Sequence, residues 1–204
     1  MQGTVIGTVD NLNALGAISG YLIDANNVFH GYLRAPDGTI TEFDAPGAGT
    51  DPMQGTQCVG INDAGTIVGD YIDSSNVNHG YLRVPDGTFT APIDVPGAGT
   101  GPGQGTIAEN INDFGAITGQ YVDSNGVNHG FLRTSDGTIT TFDAPDGGTG
   151  SGQGTIPSCN NPLNAITGWY LDSNNTWHGF LRAALPRTTP TPRPRPTPVP
   201  RPLT

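Results

Sequence analysis

Lysine is missing from this chain: all eight basic residues are arginines. Glutamate is nearly missing, with Glu42 and Glu109 as its only members, and neither recurs. Acids still outnumber bases, 18 to 8, and unevenly: residues 1–182 carry a formal charge of −14 and residues 183–204 carry +4. An acidic body argues against a nucleic-acid partner, because phosphate binding needs a basic face. No apolar run is long enough to span a membrane. No secretory leader is visible; Gln2-Gly3-Thr4 is already in phase with Gln54-Gly55-Thr56, so a leader or earlier repeats are expected upstream. Catalytic signatures are missing as well: there is no Gly-x-Ser-x-Gly elbow, no pair of glutamates at acid–base spacing and no phosphate loop. The chain is expected not to be an enzyme and to need no cofactor. Two cysteines, Cys58 and Cys159, are too few for a metal site. They read as two buried thiols, with a disulfide as the alternative.

What is present is a repeat. His30, His79, His129 and His178 each stand in a His-Gly-aromatic-Leu-Arg segment, at steps of 49, 50 and 49 residues. A fixed period of this size marks a repeat architecture. The repeats run about 1–50, 51–100, 101–149 and 150–183, within one domain over 1–183. Each holds turns of one grammar. The first begins with Asn (Asn13, Asn62, Asn112, Asn161) and ends in Gly or Asn; the second begins with Asp (Asp24, Asp73, Asp123, Asp172) and ends in Asn or Gly. A third, absent from the last repeat, ends in Gly38, Gly87 or Gly137. Asx residues cap the start of a type I turn, and Gly or Asn tolerates the left-handed residue that closes it. Between turns lie short β-branched segments without helical periodicity.

The predicted fold is all-β: four repeats of a four-stranded antiparallel meander, arranged as a four-bladed β-propeller. The last blade is incomplete, since no Asp-Gly-Thr hairpin follows Arg182. Residues 184–204 place proline at alternate positions from Pro190 to Pro202, which predicts an extended tail or linker.

The repeat Ile-Asn-Asp-x-Gly-x-Ile-x-Gly, then Tyr-x-Asp, then His79-Gly80-Tyr81 or His129-Gly130-Phe131, resembles the HAF-repeat family of bacterial extracellular proteins. Here Gly takes the middle place that the family's His-Ala-Phe triplet gives to Ala. The resemblance covers about residues 4 to 183. It implies a secreted or cell-surface β-repeat protein and carries no common activity.

Each candidate site has a structural reading beside a functional one. His30, His79, His129 and His178 recur once per repeat, too far apart for a metal, and read as packing on a cross-strand tyrosine. Asp24, Asp73, Asp123 and Asp172 read as turn caps, with calcium as the alternative. Arg34, Arg83, Arg133 and Arg182 are expected to pair with Asp44, Asp94 and Asp143, or to bind an anion. Tyr71, Tyr121 and Tyr170 belong to packing or to a sugar-stacking surface, as do Trp169 and Trp177. Trp169 replaces Asp70 and Gln120 at a position expected to be exposed, which makes it the leading single contact. The expected function is a structural or binding module making multivalent contact with carbohydrate or extracellular matrix. One alternative is a filament or surface-layer subunit completed by strand exchange with another copy. The other is an enzyme acting on polysaccharide or a metabolite.

Overall fold

A computed structural model describes residues 5–90 and 92–183, with side chains from residue 11 onward. The expectations for residues 184–204 and for the chain start lie outside the described residues. All regular structure among the described residues is strand. The first repeat forms β1 (Val5–Leu12), β2 (Ile18–Ile23), β3 (Phe29–Arg34) and β4 (Ile40–Phe43). The second forms β5 (Gly55–Ile61), β6 (Ile67–Ile72) and β7 (Asn78–Arg83). The third forms β8 (Gly105–Ile111), β9 (Ile117–Val122), β10 (Asn128–Arg133) and β11 (Ile139–Phe142). The fourth forms β12 (Gly154–Asn160), β13 (Ile166–Leu171) and β14 (Trp177–Arg182).

The turn chemistry dictates these hairpins. Asn13, Asn62, Asn112 and Asn161 accept backbone N–H bonds within their turns. Gly16, Gly65, Gly115 and Asn164 close those turns at φ of 85, 80, 77 and 62°. The second turns close on Asn27, Asn76, Gly126 and Asn175 at 63, 63, 81 and 60°. A register slip recurs in every first strand, at Val9/Asn11, Cys58/Gly60, Ala108/Asn110 and Pro157/Cys159. Such a bulge sends the residues beyond it to the other face.

Two expectations change here. The second repeat has only the bridges Gly80↔Ile93 and Arg83↔Phe89 in place of a fourth strand. It carries one extra residue before its closing aspartate, and Pro92 brings no N–H to a ladder. The two cysteines form no disulfide, and only Cys58 is buried; Cys159 is exposed. Cys58 pairs with Gly69, before the slip, whereas Cys159 lies after it, opposite Thr167.

Successive repeats join at one crossing. The third strand of each meets the next first strand in a single parallel pair: Phe29↔Gly55, Asn78↔Gly105 and Asn128↔Gly154. Those glycines hold φ of 114, 108 and 106°, and a Cβ on any of them would strike the facing carbonyl of Phe29, Asn78 or Asn128. An asparagine ladder runs beside the crossings. Asn13 Nδ2 donates to the Asn62 carbonyl at 3.1 Å, Asn62 to Asn112 at 3.2 Å, and Asn112 to Asn161 at 2.9 Å. The core lies between repeats. Cys58, Ile67, Tyr71 and Tyr81 fill the first junction with Phe43 and Leu33; Val68, Val95, Ile117 and Phe131 fill the second; Leu132, Ile166, Phe142 and Phe180 fill the third.

Fourteen strands thus form one sheet, ordered from β1 to β14, with β4 and β11 branching off β3 and β10. It does not close: no ladder among the described residues joins its two ends. Among the described residues the fourth repeat has three strands.

Candidate binding face

The recurring histidines sit in recurring clamps. His79 stacks on Tyr71 with ring centroids 5.0 Å apart, and His129 on Tyr121 and His178 on Tyr170 at 4.9 Å. In the first repeat Leu22 occupies the tyrosine position. His30 Nδ1 lies 2.9 Å from Asp44, His79 Nδ1 2.8 Å from Asp94 and His129 Nδ1 2.9 Å from Asp143. A carboxylate only accepts, so in these three the proton sits on Nδ1. The turn aspartates Asp24, Asp73 and Asp123 approach the other ring nitrogen at 3.9, 3.5 and 3.7 Å. The fourth repeat has no closing aspartate, and His178 turns Nε2 to Asp172 at 3.1 Å.

These aspartates cap as their turn grammar requires. Asp24 Oδ1 accepts from the N–H groups of Asn26 and Val28 at 2.8 Å, and the other three repeat the pattern. The Val28 and Thr176 amides hold the Asp24 and Asp172 carboxyls below the usual range. At Asp73 and Asp123 burial pushes the other way, and the turn amides outweigh it. Among the described residues no group of three or more His, Cys, Asp or Glu could hold a metal ion. Tyr71 and Tyr121 are buried, so they present no open platform; Tyr170 is half-buried.

The arginines do not pair with Asp44, Asp94 and Asp143, which the histidines occupy. Two of them stack across a junction instead: Arg83 lies 4.5 Å over the Phe43 ring and Arg182 4.6 Å over Phe142. Arg34 and Arg133 reach back toward the third-turn glycines Gly38 and Gly137. A guanidinium on an aromatic face keeps its charge without a carboxylate partner.

The position shared by Tyr21, Asp70, Gln120 and Trp169 is not generally exposed. Asp70 is 2% exposed, covered by the third repeat. Burial, then the charge of Glu109, raises its carboxyl from 3.8 to about 8. No ligand reaches Asp70 without parting the second and third repeats. Gln120 is half-buried, and its Oε1 has no hydrogen-bond partner. Trp169 is 45% exposed, and no described residue beyond the fourth repeat covers it.

An aromatic face results. Trp169 and Trp177 meet edge to face at 6.5 Å and 77°, and His178 and Gly179 line the shallow groove beside them. Leu181, next on the same face of β14, is 70% exposed. A Cβ at Gly179 would find only the Gly168 carbonyl, at 3.9 Å. The counterpart glycines are covered: Gly31 by Phe43, Gly80 by Ile93 and Thr106, Gly130 by Phe142 and Pro157. Sequence reasoning singled out Trp169 but missed Gly179 and Leu181. Their signal was positional: they are ordinary repeat residues in the last described repeat. No protein-family model matches the chain, and no curated protein matches it significantly.

Proposed function

We propose that this chain is a non-enzymatic, secreted or cell-surface binding module, a β-propeller-like array whose last repeat presents the docking face. One observation carries the reading: Trp169, Trp177 and Leu181 stand exposed where the equivalent surface of the interior repeats is covered. Two indoles flanking an open glycine floor suit stacking on the apolar faces of sugar rings, so the ligand class is a glycan or matrix polymer. The Lys-free acidic body and the resemblance to HAF repeats support placement outside the cell. The recurring histidine clamps read as internal braces, which concentrates binding at one end rather than at four equal sites. The test is retention on insoluble polysaccharides such as cellulose and chitin. Trp169→Ala with Trp177→Ala should lower retention about tenfold, the loss of about 1.4 kcal/mol. No retention of the parent chain on any polymer, or unchanged retention of the double variant, would reject the glycan reading.

A second reading, head-to-tail self-assembly, is favoured by the open sheet. The crossing made by Asn128 with Gly154 has no counterpart at Trp177 among the described residues, and Asn161 ends the asparagine ladder. Light scattering on a sizing column tests it: multimers lost in the Leu181→Asp variant support assembly, and a monomer across concentrations rejects it.

A further inference from the structure

The molecule contains a precedent for what fits on the open face. In the third repeat a Cβ on Gly130 would meet Phe142 of its own repeat at 2.7 Å and the ring of Pro157, from the following first strand, at 3.0 Å. Gly130 pairs with Gln120 just as Gly179 pairs with Trp169. The interior floor is thus closed by a phenylalanine and a proline ring beside an amide. The terminal floor has the same backbone, is open, and is flanked by two indoles in place of the amide.

Prolines follow directly in the chain. Residues 184–204 hold Pro186 and then Pro190, Pro192, Pro194, Pro196, Pro198, Pro200 and Pro202. We propose that this segment docks on its own chain, seating a Pro-x-Pro stretch as a polyproline II helix on the Gly179 floor between Trp169 and Trp177. Three arguments meet. Chemistry is the first: polyproline segments bind aromatic-lined grooves because the helix is preformed and its rings stack on the aromatic side chains. Reach is the second. Gly179 lies three residues, about 10 Å, back along β14 from Arg182, while the 21-residue segment spans up to about 65 Å as polyproline II. Charge is the third: the segment carries Arg187, Arg193, Arg195 and Arg201 and no acid, against a body of −14. Asp172 places a carboxylate 3.1 Å from His178 on that end.

The proposal rests on reading the β13–β14 face as a docking surface, and it makes the segment a competitor for any glycan there. It has a direct probe, because Trp169 and Trp177 are the only tryptophans in the chain. Intrinsic fluorescence therefore reports on this face alone. The comparison is the full chain against a full-length variant with Pro190, Pro192, Pro194, Pro196 and Pro198 all changed to Ser, with acrylamide as quencher. The variant should show a red-shifted emission and a quenching constant raised about twofold, independent of protein concentration. Added peptide of the parental 184–204 sequence should reverse both changes. Equal quenching in the two proteins would overturn the proposal. So would shielding that grows with protein concentration in both, since a second copy would then be the occupant. Polysaccharide retention is read separately: retention that is unchanged while quenching is equal rejects the docked segment and leaves the binding face standing.

Discussion

The second junction and the terminal face are the same surface in two states. At the junction of the second and third repeats, the β6–β7 face is closed by β8, and it buries Val68 and Asp70 completely or nearly so. The β13–β14 face has identical hairpin register and no cover among the described residues. Burial in this protein is therefore set by the neighbour and not by the residue's place in its own strand. Leu132 and Leu181 hold the same repeat position, and they are 8% and 70% exposed. The sharpest break of the comparison is to truncate both. Leu132→Ala should cost about 2–5 kcal/mol, because it opens a cavity against Ile166. Leu181→Ala should stay within about 0.5 kcal/mol in the monomer. Urea midpoints of the two variants decide it; a large cost at Leu181 would show that its face is already occupied.

Asp70 sharpens the same contrast through pH. Its carboxyl titrates near 8 in the fold and near 3.8 when free. Between these values the folded state binds a proton that the unfolded state has released, so stability falls as pH rises through that window. Asp70→Asn removes the cost and places a neutral amide where the third repeat already has Gln120. The variant should gain roughly 1–3 kcal/mol at pH 8 and nothing near pH 4, followed by denaturant midpoints at both pH values. An equal gain at both would mean that packing, not charge, limits this junction.

The turn types and the His–Tyr register were legible in the sequence, because each depends on residues close together in the chain. The errors share one cause. Exposure at Asp70, the partners of the arginines and the face of Cys159 are settled by the next repeat or by a bulge. Those contacts lie about fifty residues away or depend on a one-residue slip that period-two alternation does not see. The lost fourth strand of the second repeat did leave a trace. His79 and Asp94 are 15 residues apart, where His30 and Asp44, or His129 and Asp143, are 14 apart. That extra residue, with Pro92, is what broke the ladder. Trp169 was found because it departs from its repeat; Gly179 and Leu181 obey theirs and are set apart only by position.

A smaller effect is expected along the asparagine ladder. Asn112 is an interior rung: its Oδ1 accepts from Phe114 and Ala116, and its Nδ2 donates across the junction to Asn161 and to Asn164 Oδ1 at 2.9 Å. Asn161 caps its own turn in the same way but ends the ladder. Replacing a buried rung leaves carbonyls without a donor, so Asn112→Ala should cost about 1–3 kcal/mol, and Asn161→Ala about 1 kcal/mol less. Thermal melts of the pair check this, and equal costs would mean that the turn caps, not the cross-repeat bonds, carry the ladder's contribution.

The smallest effect is in the histidine clamps, and it is visible without a change in stability. His129 shares its Nδ1 proton with Asp143, whereas His178 has no closing aspartate and presents Nε2 to Asp172. The ring therefore takes the tautomer that its nearer carboxylate dictates. Nitrogen-15 spectra should place the proton on Nδ1 in His30, His79 and His129 and on Nε2 in His178. Asp143→Ala removes the partner on one side only, and the remaining acceptor is Asp123, now 3.7 Å from Nε2. His129 should then move its proton to Nε2 and give a spectrum like that of His178, while the stacked Tyr121 stays in place. If His129 keeps the Nδ1 proton, the stack on Tyr121 and not the pair of aspartates sets the tautomer, and the interior and terminal repeats would be distinguished by their neighbours alone.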